Sequence, residues 1–241
     1  MNIALVTGAS GGIGEAICLQ LSTDHSLHVL VHYFKNEGAA NDLVKKIKDH
    51  GGSSEIIQFD VSVKTEVENA LKNWWANNHD AAIDVLVNNA GITRDSLMTF
   101  MQESDWDDTM NIKLKGFYNV THSVLQKMLL KRSGRIINIG SIAGLYGQPG
   151  QVNYSAANGG LIAATKSLAR EIGKRNITVN AISPGYIETS MTKEIDADEM
   201  NKHIPAGRFG TPKEVAHLVS FLASEKAAYI NGEVIKVSGG L

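Results

Sequence analysis

"TGASGGIG", residues 7–14, follows directly on the apolar run Ile3-Ala4-Leu5-Val6. A strand that runs into a glycine cluster and then opens a helix has a specific physical use. Glycines let the backbone approach a ligand closely, and the first turn of the helix offers free N–H groups and the positive end of its dipole. For any one glycine, a tight strand-to-helix turn is a sufficient explanation. The placement of this cluster, after the first strand of an alternating chain, favours a bound dinucleotide over that plainer account.

The alternation extends over the whole chain. Apolar, β-branched runs recur at 3–7, 27–31, 55–59, 83–88, 135–139, 177–182 and 233–237, and stretches such as 39–50 and 63–75 between them carry helical periodicity. Strand, helix, strand with short connections means a parallel sheet covered on both faces. The expectation is one α/β domain over residues 1–241, of Rossmann type, with a seven-stranded parallel sheet. The longest helical patterns, 104–131 and 151–174, flank the fifth strand and are rich in apolar and small residues, as surfaces between subunits often are.

Bulk properties agree. The 241 residues are 43% hydrophobic and 20% charged, with a net charge of −2 and mixed signs along the chain. That argues against a dedicated nucleic-acid or membrane-surface binder. One cysteine, Cys18, permits no internal disulfide, and no metal site is expected. No signal peptide and no membrane-length apolar run are legible, so a cytoplasmic protein is the default expectation.

Several further stretches point to one family. They are "NNAG" at 88–91, Ser141 thirteen residues before Tyr154, and "SPG" at 183–185 with Thr189. With the TGxxxGxG spacing, these resemble the short-chain dehydrogenase/reductases. Longer strings, "GITRD" at 91–95, "TKSLAREI" at 165–172 and "GRFGTPKEVA" at 207–216, resemble most closely the bacterial 3-oxoacyl-[acyl-carrier-protein] reductases. Acetoacetyl-CoA reductases share many of them. The resemblance implies that Gly8, Ser10, Gly12, Ile13 and Gly14 cradle the cofactor phosphates. It implies that Asp60 and Val61 meet the adenine, and that Asn88, Ala90 and Gly91 line the adenosine and ribose side. Pro184, Gly185, Ile187 and Thr189 would surround the nicotinamide amide. Ser141 would hold the substrate carbonyl and Tyr154 would protonate it.

Cofactor choice is read from the second strand, which ends "VLVHYFKN". NAD-binding sites of this kind place an acid there for the ribose 2′-hydroxyl. His32 and Tyr33 are not acids, and Lys35 stands where NADPH users often carry an arginine. A cation there favours a 2′-phosphate, so NADPH is expected. Glu37 nearby, and the plain reading of Lys35 as a solvated loop lysine, stand on the other side.

One position departs from the family pattern. The family places a lysine four residues after the tyrosine; here that residue is Asn158. The family's catalytic asparagine falls seven residues after Trp106 and three before Gly116, and here that residue is Lys113. The two residue types have exchanged places. Asn111 is two residues away, roughly 200° around a regular helix, and points elsewhere unless the helix is irregular. A tyrosine near pKa 10 needs a shift of about 3 units, roughly 4 kcal/mol, to act near neutrality. A cation at about 4 Å and an effective dielectric of about 20 supplies about 4 kcal/mol, whereas a neutral amide supplies about 1. Lys113 is therefore expected to supply the charge, with Asn158 hydrogen-bonding the ribose or a relay water.

The expected activity is NADPH-dependent reduction of 3-oxoacyl thioesters. An acetoacetyl-CoA or other ketone reductase, or a non-catalytic dinucleotide-binding subunit, are the alternatives. The resemblance also implies a homotetramer and an acidic acyl carrier protein as partner, docking on Arg132 and Arg175 at the rim of the active site.

Overall fold

The first apolar run forms β1, Ile3–Val6, buried along its whole length. The computed structural model describes residues 2–79 and 81–241, which form seven strands and nine α-helical segments. The other strands are β2 (His28–Tyr33), β3 (Ser53–Gln58), β4 (Ile83–Asn88), β5 (Gly134–Ile139), β6 (Ile177–Pro184) and β7 (Val234–Val237). They make one parallel sheet in the order β3-β2-β1-β4-β5-β6-β7. The chain leaves β1 towards β2 on one side and returns beside β1 as β4 on the other. The connections therefore diverge at the β1/β4 boundary and open a crevice at the carboxyl ends of the strands.

Strand residues alternate between two cores, as period-two geometry requires. Ala4, Val6, Val29, Val31, Val85 and Val87 face one side, where Ile17 and Leu21 of α1 (Gly12–His25), Leu43 of α2 (Glu37–Asp49) and Val219 of α9 (Pro212–Ala223) cover them. Ile3, Leu5, Leu30, Leu86, Ile136 and Val179 face the other. There α3 (Lys64–Asn77), α5 (Gly116–Lys131) and α7 (Val152–Ile172) supply Leu71, Val124, Met128, Ala169 and Ile172. Both faces are sealed, which explains strands that read as continuous apolar runs. No helix among the described residues is long and apolar enough to cross a membrane.

The long helical pattern at 104–131 is not one regular helix. It is α4 (Glu103–Met110), a π-helical turn (Asn111–Lys115) and α5 in continuous succession. The Gly116 N–H reaches back five residues to the Asn111 carbonyl. Such π turns inside α-helices recur at functional sites. Despite this irregularity Asn111 is exposed and Lys113 is buried. Two short helices complete the count: α6 (Ala143–Tyr146) and α8 (Ala197–Asn201).

The start of α9 is locked by sequence-local chemistry. Thr211 and Glu214 form a reciprocal capping box, with Pro212 in the first turn. This cap abuts the crevice wall, because the residue before it, Gly210, bridges to Ile187 and accepts the Glu188 N–H at 2.9 Å. Thr211→Ala should lower unfolding stability by about 1 kcal/mol and Thr211→Ser far less. Urea denaturation of the two variants checks this; equal loss in both would mean that the hydroxyl does not matter.

Candidate active site

The glycine turn after β1 is shaped by contacts that leave no room for side chains. Gly8 has φ +62°, and a Cβ on it would lie 3.0 Å from the Ala90 Cα. A Cβ on Gly14 would lie 2.4 Å from the Gly8 carbonyl oxygen. Thr7 and Asn89 pin the turn to the end of β4. The Thr7 hydroxyl donates to the Val87 carbonyl and accepts the N–H groups of Asn89 and Ala90. The Asn89 amide donates to the carbonyls of Thr7 and Gly8 at 2.9 and 3.0 Å. At the start of α1, Gly11 is the N-cap residue and offers no side-chain cap. The N–H groups of the first turn are thus left without side-chain acceptors, which suits an anionic pyrophosphate.

His32 is part of this turn. It is 2% exposed, and its Nδ1 accepts the Gly8 N–H at 3.0 Å while Nε2 donates to the Phe59 carbonyl at 2.9 Å. Burial lowers its pKa to about 4, so the ring is neutral and its tautomer is fixed by these partners. Its place is structural, beneath the turn. Lys35 lies just beyond β2, exposed, with its ammonium 5.1 Å from the ring centroid of Phe34, itself 45% exposed. Asp60 lies two residues beyond β3, where its carboxylate accepts from the N–H and hydroxyl of Ser62.

A cleft of about 580 Å³ opens at the carboxyl ends of the strands. Its lining brings together Ile13, Ser141, Tyr154, Pro184, Gly185, Ile187 and Thr189 from the sequence expectations. Thr189 also closes over the glycine turn: a Cβ on Gly12 would lie 3.1 Å from its Cγ2. The residues present therefore fit a nicotinamide dinucleotide from turn to cleft. The Ser141 oxygen accepts the Ala143 N–H at 3.2 Å, which leaves the hydroxyl proton free to donate. Tyr154 is half-buried in the first turn of α7. Burial raises its pKa, hydrogen bonding from the Ser141 and Asn158 side chains lowers it, and the Asp95 carboxylate raises it.

Other expected residues sit behind this cleft. Asn88 is buried, and its amide donates to Thr121 Oγ1 and Asn138 Oδ1, in a polar ladder that continues from Asn138 to Thr165. Asn158 is fully buried; its Nδ2 donates to the Tyr154 carbonyl at 2.8 Å and its Oδ1 has no partner. The Ser183 hydroxyl is also unpartnered, and both atoms would lie 3.7 Å from a Cβ on Gly140. Lys113 donates to the Ile139 carbonyl at 2.7 Å and to the Ala90 carbonyl at 3.3 Å. It thereby joins the carboxyl ends of β4 and β5. A Cβ on Gly91 would lie 3.1 Å from its Nζ, so glycine there makes room for the ammonium. A second cavity, of about 10 Å³, lies between Lys113, Thr7, Asn88 and Val61.

Arg132 and Arg175 are not at the rim of the cleft within one protomer. Arg132 ends α5 ahead of β5, and Arg175 precedes β6. Both lie at the amino ends of strands whose carboxyl ends form the cleft. A six-residue strand separates the two ends by about 20 Å. Helix-to-strand connections, which carry these arginines, necessarily fall on the opposite edge from the strand-to-helix connections that build the site.

Burial without a counter-charge lowers the pKa of Lys113 to about 8. Between about pH 8 and the ordinary lysine range the unfolded chain holds this proton more tightly than the folded one. Raising the pH through that window therefore stabilises the fold. Between pH 7.5 and 9.5 the wild-type protein should gain about 2 kcal/mol relative to Lys113→Met in urea denaturation. Parallel pH dependence of the two proteins would show that the lysine is not buried as a cation.

Comparison with known proteins agrees with this geometry. The family described as Enoyl-(Acyl carrier protein) reductase matches residues 8–241. A 3-oxoacyl-[acyl-carrier-protein] reductase FabG from Staphylococcus epidermidis is 45% identical over 241 residues, covering 99% of this chain and 98% of that protein. A 3-oxoacyl-[acyl-carrier-protein] reductase from Synechocystis sp. is 44% identical, covering 100% and 96%. The FabG protein of Vibrio harveyi is 45% identical, covering 100% and 97%. With its β1 glycine turn, its Ser141–Tyr154 cleft and near-complete alignment to these reductases, the chain belongs to the short-chain dehydrogenase/reductase family.

Proposed function

We propose that the protein reduces 3-oxoacyl thioesters carried on an acyl carrier protein, using NADPH. The observation that carries this reading is the cleft in which Ser141 and Tyr154 face one another beside the glycine turn. NADPH, when bound, supplies a hydride to the ketone carbon. Ser141, with its oxygen already accepting the Ala143 N–H, donates a hydrogen bond to the ketone oxygen and fixes its position, keeping its own proton. Tyr154 delivers the proton that completes the alcohol. Gly8, Ser10, Gly12, Ile13 and Gly14 hold the phosphates, Asp60, Val61, Ala90, Gly91 and the backbone of Asn88 the adenosine side, since the Asn88 amide is turned into the core, and Pro184, Gly185, Ile187 and Thr189 the nicotinamide side. Lys35, exposed beyond β2 with no acid at His32, favours the 2′-phosphate.

The relatives and the matching family carry names for two different reductions, of a 3-oxo group and of an enoyl double bond. Acetoacetyl and crotonyl thioesters separate them. NADPH oxidation with acetoacetyl-CoA and none with crotonyl-CoA is expected, and NADPH should be preferred over NADH. No oxidation with either thioester would leave a non-catalytic dinucleotide-binding subunit. A preference for NADH would remove the role given to Lys35.

Lys113 and Asn158 act as an exchanged pair in this proposal. The lysine sits at the end of the strand that leads to Ser141, seated on the carbonyls of Ala90 and Ile139. Its field favours the phenolate that forms when Tyr154 gives up its proton. Asn158, one turn along α7 from Tyr154, bonds the tyrosine carbonyl and presents its free Oδ1 inward. Lys113→Ala should cost on the order of a hundred- to a thousandfold in kcat near neutral pH and move the Tyr154 limb of the pH profile upward. Asn158→Ala should cost less. The double change Lys113→Asn with Asn158→Lys should recover more activity than the sum of its single losses allows. An unchanged rate and pH profile in Lys113→Ala would remove the lysine from the chemistry.

Docking of an acidic carrier on Arg132 and Arg175 then requires a second subunit. A two-fold axis across α5 would set two copies of that helix antiparallel, and bring the arginine end of one copy to the cleft end of the other. The exposed Tyr118 and Leu130 of α5 and Val152 of α7 suit such burial, and repeating it on a second face gives the proposed homotetramer. Reversing the charge of Arg132 and Arg175 together should raise KM several-fold for the carrier-bound substrate and leave the CoA thioester unaffected. Equal effects on both substrates, or a monomer in light scattering, would defeat this arrangement.

A further inference from the structure

We propose that Asn153 is a positioning residue for Tyr154, fastening the first turn of α7 so that the phenol is held at the cleft. The proposal rests on the reading of Tyr154 as the proton donor. Asn153 is fully buried, with 0% exposure, immediately before the tyrosine. Its Oδ1 accepts the Tyr154 N–H at 2.8 Å. Its Nδ2 donates to the carbonyls of Arg94 and Asp105, both at 3.0 Å, and to Thr109 Oγ1 at 3.2 Å. An amide has two N–H donors, so three acceptors around one Nδ2 leave it fully used.

Two features separate this from an ordinary buried asparagine. First, Tyr154 hangs on the opening turn of its helix, where backbone N–H groups lack intrahelical partners and fraying begins. The N-cap residue Gln151 makes no side-chain cap. Asn153 satisfies the tyrosine's own N–H in its stead. Second, its other partners belong to separate parts of the chain, one of them beside residues that line the cleft. Arg94 sits between Thr93 and Asp95, which line the cleft, and Asp105 and Thr109 belong to α4. Two more bonds flank it: Ser96 N–H to the Gly150 carbonyl at 2.8 Å, and Gln151 Nε2 to Asp95 Oδ2 at 2.7 Å. Of these three fastenings between the start of α7 and the 93–96 segment, Asn153 alone is wholly sealed from solvent. Asparagine is the residue the site demands. Aspartate lacks the donors that three acceptors require, and alanine leaves them and the Tyr154 N–H unmatched.

A displacement of about 1 Å at a reacting group can cost on the order of a hundredfold in rate. Asn153→Ala and Asn153→Asp should therefore lower kcat roughly ten- to a hundredfold, with KM and the NADPH dissociation constant from cofactor fluorescence within about twofold of wild type. Thr109→Val, which removes one acceptor, should give a smaller loss of the same kind, and Thr109→Ser should restore the wild-type rate. In ¹³Cζ-tyrosine NMR, the Tyr154 resonance, assigned by its disappearance in Tyr154→Phe, should broaden or split in Asn153→Ala while the other tyrosines stay unmoved. A folded Asn153→Ala with wild-type kcat and one sharp Tyr154 resonance overturns the proposal, even if its melting temperature falls. Should that variant not fold, a wild-type rate and resonance in Thr109→Val overturn it equally. If the wild-type protein reduces no thioester, the functional reading fails, and the Tyr154 resonance still decides the role of Asn153.

Discussion

The whole site depends on the divergence of the chain at the carboxyl ends of β1 and β4. Parallel strands place all strand-to-helix connections on one edge, and the reversal of strand order there leaves a crevice that no side chain fills. The glycine turn is the floor of that crevice. It is held from three directions: Thr7 and Asn89 tie it to β4, His32 props Gly8 from β2, and Thr189 covers Gly12 from beyond β6. Thr7, Asn89 and Thr189 make their ties with short side chains, and the larger His32 ring makes its own from beneath, so the space a pyrophosphate needs stays open.

A buried lysine answers a related constraint one strand further along. β4 and β5 must end close enough to bring the 88–91 segment and Ser141 to a common site, yet their last carbonyls point where the sheet no longer supplies N–H partners. The Lys113 ammonium serves both, at Ala90 and Ile139. This seat is costly for a cation, as the lowered pKa records. A neutral asparagine would be cheaper to bury but supplies only two donors and no net charge. Retaining a cation there is sensible if its field is used, which is the case the exchanged pair makes.

Much of the fold was legible because its signals are local. Both ends of all seven strands lie within two residues of the runs read from sequence, the glycine turn is marked by its spacing, and Ser141 and Tyr154 by the family resemblance. The π turn at Asn111–Lys115 was not legible, since an inserted bulge changes no residue type and the apolar pattern runs through it. His32, Asn89 and Asn153 were missed for a different reason. Their partners lie 24, 82 and up to 59 residues away, so their roles exist only once the sheet is formed. Asn89 carries a faint signal, as one of two asparagines ahead of Gly91, but the resemblance points to Asn88, whose amide is turned into the core. Arg132 and Arg175 were assigned to the rim of the cleft by likeness alone, and strand direction places them at the far end.

The positions of lysine and asparagine decide how the two helices around β5 divide their work. A lysine at 158 would place its charge on α7, within one turn of Tyr154, so that one helix would carry both proton donor and cation. Here α7 carries Tyr154 with neutral neighbours, Asn153 before it and Asn158 after it, each bonding the tyrosine backbone from opposite sides, one at its N–H and one at its carbonyl. The cation stands instead on the π turn, whose extra residue widens the helix where Lys113 turns inward. In the proposed mechanism position and charge are thereby separated: α7 fixes where the phenol sits, and the π turn carries the cation. On that proposal a change on one helix alters the geometry of proton transfer and a change on the other alters its driving force, and the two kinds of loss are distinguishable in a pH profile because only the second moves its limbs.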